Sequence, residues 1–119
     1  MKIAITSQGE TLDSKIDARF GRAGYILVVD PETLDFKVFD NQKNKDAFKG
    51  AGIQAAAMIS DSGARVLLTG FCGPNAFKTL SASGIKVVND QNGTIMDAVE
   101  RFKTGQFCYA QSSNKEGHW

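Results

Sequence analysis

The chain has 119 residues, a formal net charge of +1, 42% hydrophobic and 23% charged residues. This length suits one domain around one core, and the near-neutral charge excludes a global pull toward nucleic acid or membrane, so any basic patch must be local. No run approaches the roughly 18 apolar residues of a membrane span, no signal-peptide pattern opens the chain, and Cys72 and Cys108 are too few for a disulfide scaffold, so a cytoplasmic protein with reduced thiols is expected.

In chain order, Lys2-Ile3-Ala4-Ile5-Thr6 reads as a first strand, followed by the polar turn Ser7 to Glu10. Arg19-Phe20-Gly21-Arg22 leads into Tyr25 to Asp30, whose four consecutive aliphatic residues predict a strand buried on both faces. Phe36 to Asp40 alternates apolar and polar residues and reads as the outer strand of a hairpin, and Asn41 to Lys49 reads as a surface loop. A helix opens at Gly50-Ala51-Gly52, with Ile53, Ala56, Ala57 and Ser60 expected on its packing face. Arg65 to Thr69 is the next strand, a helix follows from Pro74 to Ser83-Gly84, Ile85 to Val88 is a short strand, and Ile95, Val99 and Phe102 line a last helix that stops at Gly105. Strand and helix alternate in the second half, which predicts an α/β fold: a mixed, mostly parallel sheet of about five strands with helices on both faces. Residues 1–109 form a single domain in this reading, and 110–119, rich in Ser, Asn, Gln and Lys, a flexible tail.

Chemistry in such a sheet belongs beyond the carboxyl ends of the parallel strands. Thr69-Gly70-Phe71-Cys72-Gly73-Pro74-Asn75-Ala76-Phe77 joins an apolar strand to a helix, with glycines for close backbone approach and helix-start N–H groups suited to an anion. Arg19 and Arg22, flanking Phe20-Gly21, add fixed positive charge, Lys49 adds one more cation beside Gly50, and Gly50 to Gly52 forms a third candidate loop. Cys72, beside a helix N-terminus, is expected to have a lowered pKa and to be the one soft metal ligand of the turn. Cys108, Met58, Met96 and His118 are scattered and form no metal-binding pair, the single His excludes a Ser-His-Asp triad, and the turn lacks the Gly-Lys-Ser/Thr ending of a phosphate loop. Enzymatic turnover is not indicated.

Arg19-Phe20-Gly21-Arg22-Ala23, Lys49-Gly50-Ala51-Gly52 and Gly70-Phe71-Cys72-Gly73-Pro74-Asn75-Ala76-Phe77, with Gly84-Ile85-Lys86-Val87 after them, resemble the dinitrogenase iron-molybdenum cofactor biosynthesis family from about Lys2 to Gln106. Within it the chain is most similar to the stand-alone orange-protein branch. The resemblance implies a ribonuclease-H-like α/β motif and non-enzymatic binding, storage or delivery of an anionic molybdenum-containing metal–sulfur cluster, with copper or iron as the further metal. It also implies a cluster-donor or cluster-acceptor protein as partner, and no nucleic acid or membrane. The implied cradle is Arg19, Phe20, Gly21, Arg22, Lys49, Gly50, Gly52, Gly70, Cys72, Gly73 and Asn75. Two positions depart from the family pattern, which has a His before the Gly-Ala-Gly where Phe48 and Lys49 stand here, and an aliphatic residue at Cys72. Either Cys72 ligates the cluster, or charge and backbone N–H groups hold it alone. The alternative function is a regulatory or scaffold domain that binds another protein without a cluster.

Overall fold

In the computed structural model, which describes residues 1–42 and 51–111, the apolar runs pair as β1 (Ile3–Ser7), β2 (Tyr25–Val29), β3 (Phe36–Asp40), β4 (Val66–Leu68) and β5 (Lys86–Val88). They form one sheet in the order β3-β2-β1-β4-β5. β2 is antiparallel to both its neighbours, while β1, β4 and β5 run parallel, so the expected mixed, mostly parallel α/β sheet is present with β3 at its edge. Three helices are described, α1 (Ala51–Ser62), α2 (Pro74–Ala82) and α3 (Ile95–Lys103). The expected loop over Asn41 to Lys49 lies, past Gln42, outside the described residues.

Alternate residues of β1, β2, β4 and β5 feed two separate cores, the consequence of side chains alternating across a pleated sheet. Ala4, Ile26, Val28, Leu67 and Val87 pack with Ala55, Ala56 and Ile59 of α1 and Ala76 and Leu80 of α2. On the opposite face Ile3, Ile5, Leu27, Val29, Val66, Leu68 and Val88 pack with Ile95, Ala98 and Val99 of α3. Burial of a side chain such as Ile59, Leu80 or Ile95 stabilises the fold by about 1.5–3 kcal/mol.

The buried face of α1 is rotated from the one expected. Ala55, Ala56 and Ile59 are fully buried, whereas Ile53 is 47% exposed and Ala57 also faces solvent. Close approach to α2 decides this phase, because a Cβ added to Gly52 would lie 2.9 Å from the Cβ of Ala76.

α2 and α3 stop as expected. In α2, Ile85 N–H donates to Leu80 O and Gly84 N–H to Ser81 O, with Gly84 at φ +77°. In α3, Gln106 N–H donates to Arg101 O and Gly105 N–H to Phe102 O, with Gly105 at φ +76°. This paired-bond termination needs a residue at positive φ, which glycine adopts without steric cost. Beyond α3 the chain stays docked through residue 110: Phe107 stacks on Phe102, and Ala110 N–H donates to Val87 O at 2.7 Å. Among the described residues no helix is long and apolar enough to cross a membrane.

Candidate anion-binding site

From β1 the chain departs toward β2, and from the adjacent β4 it departs toward β5. The carboxyl ends of β1 and β4 are therefore the topological switch point, where a crevice opens in sheets of this kind. Thr6 and Thr69 stand there, both fully buried. Thr6 Oγ1 donates to Asp17 O at 2.6 Å, which uses its single proton, so Thr69 donates in the 2.9 Å bond between the two hydroxyls. Asp17 N–H donates back to Thr6 O at 3.0 Å. The excursion from residue 8 to residue 17 is thus fastened over the end of β1.

It then meets the turn after β4. Phe71 N–H donates to Ala18 O at 2.8 Å and Phe20 N–H to Phe71 O at 3.2 Å, a parallel bridge between Arg19 and Phe71. The Arg-Phe-Gly-Arg segment and the Gly-rich turn are one hydrogen-bonded unit. Arg22 N–H donates to Arg19 O at 3.2 Å, and Gly21 sits at φ +87°. That is a β-turn with the left-handed residue in its third position, and its ends, Arg19 and Arg22, lie within about 7 Å of each other at Cα. Both arginines are exposed, while Phe20 and Gly21 are buried beneath them. Asn41, fully buried after β3, fixes the far side of the turn by donating from Nδ2 to Ala23 O at 2.8 Å and Gly21 O at 3.4 Å.

A third loop closes the end of β5. Asp90 N–H donates to Gly70 O at 2.7 Å and Gln91 N–H to Thr69 O at 3.0 Å. From α3, Arg101 holds the same loop, with Nε bonded to Gln91 Oε1 at 3.2 Å and Nη2 to Asn92 O at 2.6 Å.

The helix starts differ. At α3, Thr94 Oγ1 accepts from Asp97 N–H at 3.1 Å and Asp97 Oδ2 accepts from Thr94 N–H at 2.9 Å, and hydrogen bonding of the carboxylate by Thr94, first of all from its backbone N–H, holds the Asp97 carboxyl below its ordinary pKa. At α2 the N-cap is Gly73, which makes no side-chain cap, and Pro74 occupies the first turn. Exposed Asn75 lies in that turn, and Gly52 brings the first turn of α1 against Ala76 of α2. The start of α2, with its partial positive charge, therefore lies at this edge, packed against α1. Lys49 and Gly50 lie outside the described residues.

Cys72 departs from expectation. Its side chain is fully buried in the apolar cluster that holds Phe20, Ala56 and Ala76, with Sγ 3.7 Å from Gly73 O. Burial pushes the thiol up to about 12, opposite to the lowering expected beside a helix start. Desolvation of the charged form outweighs the helix field because the side chain points into the core. Folded protein should accordingly show a single reactive thiol at neutral pH, exposed Cys108, with Cys72 at least about a hundredfold slower until the chain unfolds. Equal native rates for both thiols, followed by a chromogenic disulfide reagent, would contradict this placement.

Among the described residues no group of three or more His, Cys, Asp or Glu is arranged to hold a bare metal ion. A groove of about 640 Å³ runs along the other end of the sheet, between Lys2, Asp30, Phe39, Met58 and Asp61, and none of the expected site residues lines it. The buried supports Thr6, Thr69, Asp17 and Asn41 were not among the expected site residues. Their one sequence signal is a polar residue at the end of an apolar strand, as in Thr6 and Thr69.

The family described as dinitrogenase iron-molybdenum cofactor matches residues 1–105. The apo form of the orange protein from Desulfovibrio gigas is similar in structure, with a TM-score of 0.93 and 46% identity over 96% of both chains. A Thermotoga protein of the DUF35 family, solved by NMR, has a TM-score of 0.83 and 33% identity over 98% of both chains. A candidate dinitrogenase of Methanocaldococcus jannaschii, at 17% identity and a TM-score of 0.69 over 94% of this chain and 96% of that one, shares the fold. No curated protein matches the chain. The matched span takes in both hydrogen-bonded loops and all three described helices, and the chain belongs to the dinitrogenase iron-molybdenum cofactor family.

Proposed function

We propose that the protein binds and carries an anionic molybdenum-containing metal–sulfur cluster, without turnover, and passes it to a partner protein. The observation that carries this reading is the bridge between Arg19 and Phe71, which joins a two-arginine turn to the start of α2. Family membership supports the nature of the cargo. Arg19 and Arg22 supply fixed charge and planar donors, and the α2 start, with no side chain filling its cap, offers backbone N–H groups. A cargo that brings its own sulfide ligands needs no protein thiolate, which agrees with the buried, neutral Cys72. The cluster is then held by charge and N–H donors, and Cys72 packs the turn from beneath.

Mixing the purified protein with tetrathiomolybdate, with and without copper, is expected to give a visible absorption band that co-elutes with the protein and with molybdenum by elemental analysis. A colourless protein free of metal after gel filtration would defeat the reading.

A further inference from the structure

We infer that Asp17 sets how tightly this cradle holds its anion, by keeping a fixed negative charge against Arg19. The inference rests on the reading of the site as an anion cradle. Asp17 is 9% exposed. Its backbone is tied to Thr6 in both directions, N–H to Thr6 O at 3.0 Å and carbonyl from Thr6 Oγ1 at 2.6 Å, so the residue is anchored to the end of β1. Oδ1 accepts the Arg19 N–H at 3.1 Å. The same oxygen lies 3.8 Å from Arg19 Nε, beyond hydrogen-bond length, while the Arg19 side chain stays 60% exposed. Asp17 therefore orients the arginine backbone and offsets its charge without tying up the guanidinium. An arriving anion meets a cation that is partly neutralised from behind.

A neutral acceptor would serve the turn equally well, since an Asn or Ser oxygen also accepts a backbone N–H two residues on. The charge at this position is thus separable from its turn-forming role. Its effect is to weaken the hold on the anion, which suits a cargo that has to be given up.

The test compares wild type with Asp17→Asn and Asp17→Ser, using tetrathiomolybdate as the probe, titrated at low and high salt alongside thermal melting. Both variants keep an acceptor for the Arg19 N–H and lose the charge. They should bind about fivefold more tightly at low salt. The gain should shrink at high salt, as expected for a screened charge effect, with the melting midpoint nearly unchanged. A merely structural role predicts weaker binding and a lower midpoint. Equal or weaker binding by a folded variant overturns this inference alone, because wild-type binding would still support the cradle. Absence of binding by all three proteins overturns the cradle and this inference with it.

Discussion

Replacing Gly70 by alanine is expected to lower stability by about 3 kcal/mol and, if the proposed cradle holds, to abolish tetrathiomolybdate binding. A Cβ at this position would lie 2.6 Å from Ala18 O, 2.7 Å from Ala18 Cα and 2.8 Å from Ala18 Cβ. Two of those atoms are backbone, so no rotamer change relieves the clash. The residue is also the acceptor for Asp90 N–H at 2.7 Å, so any shift of Gly70 is passed to the loop after β5. Separation of the two loop segments at this point breaks the bonds that join residues 18–20 to Phe71. Gly73→Ala is the control, since an added Cβ there meets nothing within 4 Å. It should cost less than about 1 kcal/mol. Urea unfolding with an unchanged m-value measures both. A Gly70→Ala protein as stable as Gly73→Ala would show that the tight packing of the two loops is dispensable.

The second large effect is on binding alone. Arg19→Ala with Arg22→Ala should weaken tetrathiomolybdate binding about a hundredfold, at roughly tenfold for each charge-assisted hydrogen bond removed. The salt dependence should flatten, because fewer protein charges face the anion. Both residues are exposed at the ends of a turn whose backbone bonds remain, so the variant should still fold cooperatively on urea titration. A double variant that titrates like wild type would remove the arginine turn from the site.

Much of the architecture was legible in the sequence because it rests on local signals. Pro74 at the start of α2, Gly84 and Gly105 at positive φ and the four-residue aliphatic run of β2 each reflect a rule that acts within a few residues. The face of α1 was not legible. Its residues 55–59 are apolar on nearly every side, so periodicity leaves the phase open, and packing against Ala76 of α2 settles it. Cys72 failed for a related reason. Its position beside a helix start is local, but whether its thiol points outward or into the core is decided by packing. The arginine turn and the glycine turn could each be named from the sequence. The polar supports beneath them could not, since Thr6 reaches Asp17 across 11 residues and Thr69 across 63.

The bridge between Arg19 and Phe71 also bears on when the site comes into being. The two segments lie in opposite halves of the chain, and joining them costs loop-closure entropy that only a finished sheet offsets. Such distant pairings form late in folding. A partly folded or truncated chain would carry the arginines and the glycines but not the cradle. Cargo loading would then report on completed folding, and the protein would need no separate device to keep immature copies from capturing a reactive cluster.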